Sequence, residues 1–429
     1  MSADAPLHGP LRRPDVTVFT SAVRTRFLDD SLRSLLSQTW PNWEWVVVVD
    51  HESAWWPSVE DPRIRIVVEE GVKTEGTAKR LACYVALGEC LVALEPGDML
   101  APGALEAMVK ALDAAPEAGL AYSDYSLAPD RGEDAVVERG PLRTASPVES
   151  HLVNGGLVAM PSFEPLPHTI VSARHAPAHV LAFRHSAYDV AGGYDGSLED
   201  EADLDLVCRV FEHADATRVA NCLYVKRGEP ESAGRGADLS NMRDGDGQFY
   251  DRHIESSCLA WARRRGLHAL NFGSAYENPA GYTVVDRAEG ARVDIVADLS
   301  RGLDLPDSSV GVVRAVDYLV YFEDKVAVFN ELYRILAHGG MLLSLTPSTD
   351  GRGAFQDPSH VAYYNENSFW YFTEPDQARY VPAIDCRFQV SKLGTFFPSD
   401  WHREHHISYV AANLVAIKDA PQRTESLDA

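Results

Sequence analysis

Short apolar runs alternate with amphipathic stretches along the first part of the chain. Three β-branched or apolar runs predict buried strands at 16–20, 45–49 and 63–69. Residues 27–40 place apolar side chains at helical spacing, a pattern typical of a helix packed on a sheet. A helix over about 76–88 and a strand at 90–94 continue the alternation. This β-α-β order predicts a doubly wound parallel sheet with ligands at the carboxyl ends of its strands.

A second alternating block follows a polar, glycine-rich segment at 228–247, whose composition predicts a linker. A helix over 248–265 begins this block, and a second helix is expected near 324–337. Its apolar runs predict strands at 267–272, 282–286, 293–299, 310–316 and 341–347. We therefore expect two α/β domains, at 1–247 and 248–429.

The composition and charge of the chain indicate a globular protein and limit the kinds of partner it can bind. The chain has 429 residues, 45% of them hydrophobic and 24% charged, which is typical of a globular protein of two domains. Its net charge of -24 counts against a nucleic acid or an anionic membrane surface as the main partner. No apolar run is long enough for a membrane span, and the N-terminus lacks the apolar core of a signal peptide. The six cysteines show no metal-binding spacing, so reduced thiols in a cytoplasmic protein are expected.

An acidic turn ends the apolar strand at 90–94. Glu95 and Asp98 flank a Pro-Gly pair, and a tight turn with two carboxylates suits a hard divalent cation such as Mg²⁺ or Mn²⁺. After a strand in a β-α-β frame, such a turn predicts a metal-bridged nucleotide diphosphate. An ordinary acidic turn is the alternative, and these residues alone do not separate the two.

These segments together resemble the inverting family 2 glycosyltransferases of the GT-A fold. Residues 34–53 (SLLSQTWPNWEWVVVVDHES) are similar to the family's S-L-x-x-Q-T, W-E and D-D-G-S signals. LEPGD at 94–98 stands at the D-x-D-D turn, and GGYD at 192–195 precedes the acidic segment EADLDLVCR at 201–209. The resemblance covers about residues 14–232, in the family's order.

The chain departs from the family pattern at four positions. His51 replaces the second Asp of D-D-G-S, and Glu95 and Gly97 replace two acidic residues of D-x-D-D. Ala202 stands where the family usually has the Glu of an E-D pair. These departures bear on individual residue roles rather than on the resemblance as a whole.

The resemblance implies a role for each residue at a family position. The donor side comprises Asp98 and Glu95 for the metal, Lys79 and Arg80 for the diphosphate, and Asp50, Thr20 and Ser21 for the base, a uracil in most of the family. Asp203 falls at the position of the general base, and Asp205 in the same segment is an acceptor-side candidate. Apart from the resemblance, Asp124 is an acceptor-side candidate because it ends a strand on the same edge, and His179 is another, with an ordinary surface or hydrogen-bonded histidine as the alternative. The plain alternatives are a solvated basic helix face and acidic residues that stabilise a helix N-terminus.

Residues 267–347 resemble a class I methyltransferase core. NFGSAYENPAGYTVVD at 271–286 is similar to the family's glycine loop and the strand after it. By this resemblance, the residues of an S-adenosylmethionine site would be Gly273, Gly281, Asp286 and Asp298. Ala275 replaces the second glycine of the loop, where a Cβ can block the cofactor, and 318–321 lack the usual L-E-H. We therefore expect a degenerate domain without S-adenosylmethionine, and a retained methyltransferase is the alternative.

Taken together, the sequence predicts a metal-dependent inverting hexosyltransferase. The donor would be a UDP-sugar, most simply UDP-glucose, and the acceptor a hydroxyl of a small soluble molecule. The Ala-, Arg- and Asp-rich composition is typical of high-GC actinobacteria, so aminocyclitol antibiotics are one acceptor class by analogy. A bifunctional glycosyltransferase/methyltransferase and a non-catalytic sugar-nucleotide-binding scaffold are the two alternatives. The transferred sugar, the choice between Mg²⁺ and Mn²⁺, and the oligomeric state are left open.

Overall fold

The computed structural model divides the chain into two compact units. It describes residues 13–22, 27–51, 55–72, 74–128, 151–153, 157–160, 162–172, 179–198, 201–227, 244–273 and 278–418. The first unit takes the described residues within 1–142, 147–165 and 173–242, and the second takes those within 166–172 and 243–429. A short segment from the N-terminal half of the chain thus belongs to the second unit.

The first unit is a ten-stranded mixed sheet with helices. Its strands are β1 (Val16–Ala22), β2 (Trp43–Val49), β3 (Ile64–Val68), β4 (Cys90–Ala93), β5 (Met99–Leu100), β6 (Ala118–Ala128), β7 (His151–Val153), β8 (Leu157–Met160), β9 (Leu181–Arg184) and β10 (Asp215–Arg227). The helices along this stretch of chain are α1 (Leu28–Leu36), α2 (Glu75–Tyr84), α3 (Ala104–Ala114), α4 (Pro167–Ser172), α5 (His185–Val190) and α6 (Ala202–His213). Of these helices, α4 is the one that belongs to the second unit.

The sheet of the first unit has the order β3-β2-β1-β4-β9-β6-β10-β5, with β8 paired to β6 and β7 to β8. The first four strands are parallel, but β9 runs antiparallel to both β4 and β6. The predicted α/β class is confirmed, whereas the predicted parallel order of the sheet is interrupted by the antiparallel strand β9. An apolar run indicates that a strand is buried on both faces, and it carries no information about strand direction.

Local sequence explains why the predicted elements form. In α1, Leu28, Leu32 and Leu35 lie on one buried face, and all seven residues of β2 are buried. Helix α2 begins after Thr74, whose hydroxyl accepts a hydrogen bond from the amide of Thr77 at 3.1 Å. The helix ends at Tyr84, a few residues before the end that the sequence predicted.

The 13-residue strand β10 was not predicted from the sequence. Its pairing with β6 shifts register at three places, so its apolar side chains do not alternate regularly. Without a clean period of two, the sequence pattern does not separate such a strand from a loop. The omission matters because β10 carries Tyr224 and Arg227, which contact the acidic turn described below.

The second unit is a seven-stranded sheet in the order β13-β12-β11-β14-β15-β17-β16. Its strands are β11 (His268–Phe272), β12 (Thr283–Asp286), β13 (Ile295–Val296), β14 (Val310–Val316), β15 (Leu336–Pro347), β16 (Phe388–Phe396) and β17 (Tyr409–Ala416). Besides α4, its helices are α7 (Asp244–Arg264), α8 (Lys325–Ile335), α9 (Glu366–Thr373), α10 (Pro375–Ala378) and α11 (Asp400–Glu404). Strands β11 to β15 are parallel, and β17 is antiparallel to both β15 and β16.

The connections of the second unit place a crevice in the middle of its sheet. The chain leaves β11 towards β12 on one side, while β14 pairs with β11 on the other side. Ligands of open α/β sheets bind at such a switch point, outside the carboxyl ends of the strands. Among the described residues, no helix of either unit is both long and apolar enough to cross a bilayer.

Candidate active site

The candidate active site of the first unit lies at the carboxyl edge of its sheet. Helix α2 leads into β4 and α6 leads into β10, and both strands run parallel to β1 through the pairing of the sheet. The first turns of both helices therefore lie at the same edge as the acidic turn that follows β4. This topology explains how residues far apart in sequence meet at one place.

A buried lysine ties these three segments together. The Lys79 Nζ lies 2.5 Å from a carboxylate oxygen of Glu75, 2.7 Å from one of Glu95 and 2.6 Å from one of Asp203. The lysine side chain is 2% exposed, and oxygens of the three carboxylates lie within 4.8 Å of one another. Lys79, Glu75, Glu95 and Asp203 are called the carboxylate cluster from here on. One ammonium thus balances carboxylates from α2, the acidic turn and α6.

Asp203 has a partner at each carboxylate oxygen. Its Oδ2 accepts from the Lys79 ammonium, and its Oδ1 accepts from the Tyr194 hydroxyl at 2.7 Å. Burial alone would raise the pKa of Asp203, but the charge and hydrogen bond of Lys79, the Tyr194 hydroxyl and the charge of His179 together lower it below its usual value. The side chain is 29% exposed, so an ionised carboxylate with fixed orientation reaches solvent here.

Asp98 lies in the acidic turn but outside the carboxylate cluster. Its Oδ2 accepts from the Tyr224 hydroxyl and its Oδ1 from the Arg227 amide, each at 2.8 Å. Burial raises the pKa of Asp98 to about 6, against the lowering effect of these two hydrogen bonds. The Ser31 hydroxyl also donates to the Asp98 carbonyl at 2.8 Å, so the turn is anchored from two sides.

The donor atoms of the carboxylate cluster suit a hard divalent cation, which prefers several carboxylate oxygens. The Lys79 ammonium, however, lies between those oxygens, and both oxygens of Asp98 already accept hydrogen bonds. A carboxylate oxygen has more than one lone pair, so these partners leave Glu95 and Asp98 able to bind a cation. Glu75 was not predicted from the sequence, although its position four residues before Lys79 is the spacing of a helical ion pair.

The remaining donor-side candidates lie in different environments. Thr20 is buried, and its hydroxyl donates to the Leu94 carbonyl at 2.7 Å and accepts from Trp45 Nε1 at 2.9 Å. Ser21 is buried as well. Asp50 directly follows β2 and is half-buried, and its carboxylate has no hydrogen-bond partner among the residues that the structure describes.

The two basic candidates, Lys79 and Arg80, lie in different surroundings because adjacent residues of a helix point in different directions. Lys79 turns inward to the carboxylate cluster, whereas Arg80 is exposed and lines an open cleft with Tyr188 and Gly193. Arg80 therefore does not share the surroundings of Lys79 in this structure.

Two of the three acceptor-side candidates are held by arginines. Asp124 pairs with Arg218 at 2.7 Å, and Asp205 pairs with Arg209 at 2.5 Å. His179 instead stacks on Tyr224, with ring centroids 4.5 Å apart, and its charge contributes to the lowered pKa of Asp203. Of the three, His179 is the one connected to both parts of the site. Its ring stacks on Tyr224, which donates a hydrogen bond to Asp98, and its charge acts on Asp203.

Glu75 makes the stability of the first unit depend on pH. Burial, followed by the charges of Glu95 and Asp203, raises the pKa of Glu75 to about 7 against the opposing charge of Lys79. When folding raises the pKa of a carboxyl group, its contribution to stability is fully present at a pH below the pKa in the unfolded chain, 4.5. This contribution is lost as the pH rises through the folded-state pKa of about 7. We expect wild type to lose melting temperature relative to Glu75→Gln between pH 5 and pH 8, measured by differential scanning calorimetry. A difference that stays constant with pH would contradict the raised pKa.

The candidate cofactor residues of the second unit lie near the carboxyl ends of its strands. Gly273 follows β11 with φ +93°, and Gly281 has φ +97°, both in the left-handed region that favours glycine. Asp286 ends β12, and Asp298 caps a short 3₁₀ helix by accepting from the Ser300 amide at 3.0 Å. Ala275, the substitution in the glycine loop, lies outside the described residues.

Comparisons with known sequences match the second unit to a family. The sequence profile of the family described as "Methyltransferase domain" matches residues 274–344, which confirms the predicted resemblance of this segment. A curated relative, Uncharacterized protein y4gI of Sinorhizobium fredii, is 25% identical over 239 residues. The match covers 53% of this chain but 23% of the relative, so the chain spans less than a quarter of that protein's length.

Comparisons with solved structures return sugar-nucleotide complexes at low similarity. The S. aureus TarS 1–349 complex with UDP is 14% identical and has a TM-score of 0.36, covering 57% of this chain and 65% of that one. Its complex with UDP-GlcNAc is 12% identical with a TM-score of 0.38, covering 58% and 71%. The mannosyltransferase PcManGT of Pyrobaculum calidifontis, in complex with GDP-Man and Mn²⁺, is 16% identical with a TM-score of 0.33, covering 59% and 65%.

Proposed function

We propose that the first unit is an inverting glycosyltransferase that uses a nucleotide-diphosphate sugar. The observation that carries the proposal is the convergence of three separately predicted segments on one point. Lys79 from the basic helix contacts both Glu95 of the acidic turn and Asp203 of the acidic segment, at 2.7 and 2.6 Å. A sheet edge that joins these groups offers an ionised carboxylate beside cationic charge, which is the pair that sugar transfer from a diphosphate needs.

Asp203 is proposed as the general base. In a single displacement, the acceptor oxygen forms a bond to the anomeric carbon while the bond to the diphosphate oxygen breaks. The hydroxyl proton passes to a carboxylate oxygen of Asp203, and the electron pair of the broken bond leaves with the diphosphate. Lys79 and Tyr194 fix the orientation of the carboxylate and keep it ionised before the proton arrives.

The donor is proposed to be a UDP-sugar, most simply UDP-glucose. Asp50 supports this choice, since its carboxylate follows β2 at the carboxyl edge, has no partner among the described residues and can accept the N–H of a uracil. A hydroxyl of a small molecule, an aminocyclitol among others, is proposed as the acceptor by analogy alone.

A divalent cation belongs to the proposal with Glu95 and Asp98 as its ligands. When bound, Mg²⁺ or Mn²⁺ neutralises the charge that develops on the leaving diphosphate. The Lys79 ammonium, already 2.7 Å from Glu95, supplies positive charge at the same place. The Tyr224 hydroxyl and the Arg227 amide fix the orientation of the Asp98 carboxylate against β10 through two hydrogen bonds.

Asp98→Asn tests the assignment of the metal ligand. An amide has nearly the shape of the carboxylate but carries no charge, so we expect metal-dependent UDP binding to weaken by about 10-fold or more. Calorimetric titration of UDP with and without Mn²⁺ measures the effect, with Asp376→Asn on the exposed surface of the second unit as the matched control. Unchanged metal and nucleotide binding would make the acidic turn purely structural.

The transfer reaction itself is tested by nucleotide release. Purified protein is incubated with UDP-glucose, UDP-N-acetylglucosamine or GDP-mannose, with Mn²⁺ and a panel of polyol acceptors, and released UDP or GDP is quantified. The proposal predicts UDP release that rises with one acceptor class and is lost in Asp203→Asn. Faster release from GDP-mannose would overturn the donor assignment, and release that Asp203→Asn leaves unchanged would overturn the base.

A bifunctional enzyme is the second candidate function, since residues 274–344 match a methyltransferase domain. Binding of S-adenosylmethionine in the crevice of the second unit would distinguish this candidate from a non-catalytic scaffold.

A further inference from the structure

The crevice of the second unit is bounded by the residues that follow two adjacent parallel strands. Gly273 comes directly after β11, and Tyr318 comes two residues after β14. In the register of this pair, Phe272 lies opposite Ala315, so both segments leave the sheet at the same edge. A nucleoside cofactor of an open α/β sheet would enter between them.

The Tyr318 ring lies over Gly273. A Cβ placed on Gly273 would lie 3.2 Å from the Tyr318 Cδ2, so the ring packs closely against this glycine. The ring stacks on Phe272, with centroids 5.4 Å apart, and meets Phe322 edge-on at 5.1 Å. Tyr318 is 4% exposed. The tyrosine is thus a packed part of the core rather than a surface side chain.

The Tyr318 hydroxyl lies inside the second unit. It is buried and has no hydrogen-bond partner among the described residues. Burial raises the pKa of Tyr318, and the negative charges of Asp286 and Asp298 raise it further against the lowering effect of Arg287. The phenol is therefore an enclosed polar group that both candidate cofactor carboxylates influence electrostatically.

We propose that Tyr318 closes the nucleoside crevice of the second unit, so that this unit does not bind S-adenosylmethionine. The residues present do not fit the cofactor, because an aromatic ring packs against the glycine whose backbone the cofactor has to approach. Displacing the ring would expose apolar surface that Phe272 and Phe322 now cover, which opposes opening. This closure is independent of the activity proposed for the first unit.

Truncation of the side chain tests the closure. The full chain as wild type, Tyr318→Ala and Tyr318→Leu is titrated with S-adenosylmethionine and S-adenosylhomocysteine by calorimetry, after thermal melting shows that each variant folds. We expect no saturable heat from wild type up to about 1 mM ligand, and binding at least about tenfold tighter in a truncated variant. Tyr318→Phe keeps the ring and should behave as wild type.

Three results would overturn the closure. The first is saturable binding to wild type in the micromolar range, and the second is binding to Tyr318→Phe that equals binding to Tyr318→Ala. The third is a folded Tyr318→Ala or Tyr318→Leu that still fails to bind either ligand. In that case the Cβ of Ala275 becomes the block, and Ala275→Gly is the variant to compare.

A measurement on the wild-type protein covers the case in which the truncated variants do not fold. Tyrosines are nitrated with tetranitromethane under native conditions, and peptide mass mapping gives the rate at each position. Tyr318 should react at least about tenfold more slowly than Tyr363 and Tyr371, which are 42% and 40% exposed. Equal rates would show that the ring leaves the crevice readily and would overturn the closure.

Discussion

Asp203→Asn is expected to lower turnover by roughly 10²–10⁴-fold and to leave UDP binding nearly intact. The amide keeps the shape of the side chain at the start of α6, but it cannot take the proton of the acceptor hydroxyl. It also leaves Lys79 with two carboxylate partners, Glu75 and Glu95, instead of three. Steady-state kinetics of UDP release and calorimetry of UDP binding separate the chemical step from donor binding.

Asp205→Asn is the matched control for this experiment, because Asp205 lies on the same helix but pairs with Arg209. Asp205→Asn is expected to lower the free energy of unfolding, because it removes this ion pair, and to leave turnover nearly unchanged. Turnover that stays near normal in Asp203→Asn would show that the base lies elsewhere, with Asp205, Glu201 and Asp124 the next carboxylates to replace.

Lys79→Met is expected to destabilise the first unit by about 3–5 kcal/mol near neutral pH. The substitution removes the one ammonium of the carboxylate cluster and leaves three carboxylates within 4.8 Å of one another. Their mutual repulsion is no longer balanced, although their partial exposure, between 28% and 34%, moves the expected cost towards the lower figure. Urea unfolding followed by circular dichroism measures the free energy of unfolding.

Arg80→Met is the matched control, since the neighbouring side chain is exposed and should change stability by no more than about 0.5 kcal/mol. The cost of Lys79→Met should also shrink at pH 5, because protonation of the carboxylates removes the repulsion. Equal, small effects of the two variants would mean that Lys79 does not hold the cluster together.

The sequence pattern predicted the helices and strands that carry the site better than it predicted the contacts between their side chains. Strand β2 and helix α1 follow from a β-branched run and helical spacing, and α2 begins one residue before its predicted start. Asp203 and Lys79 were each assigned a role from the family resemblance, and the structure places them 2.6 Å apart. No local pattern predicts that contact, because it depends on two helices reaching one sheet edge from positions 124 residues apart in the chain.

Other parts of the site could not be predicted for definite physical reasons. Tyr224 and Arg227 hold Asp98 from β10, whose irregular register hides its strand character. In the second unit the sequence pointed to Ala275 and to the missing L-E-H at 318–321, but it did not predict the contact of Tyr318 with Gly273, which exists because β11 and β14 are neighbours. Such juxtapositions depend on sheet order, which an apolar run does not specify.

Nucleotide selectivity tests the central claim, a sugar-nucleotide site in the first unit, most directly. The full chain and Asp50→Ala are titrated with UDP, ADP and GDP by calorimetry in the presence of Mn²⁺. The account predicts that wild type binds UDP at least about tenfold more tightly than ADP or GDP, and that Asp50→Ala loses this preference. Absence of UDP binding, or equal affinity of wild type for the three nucleotides, would contradict it.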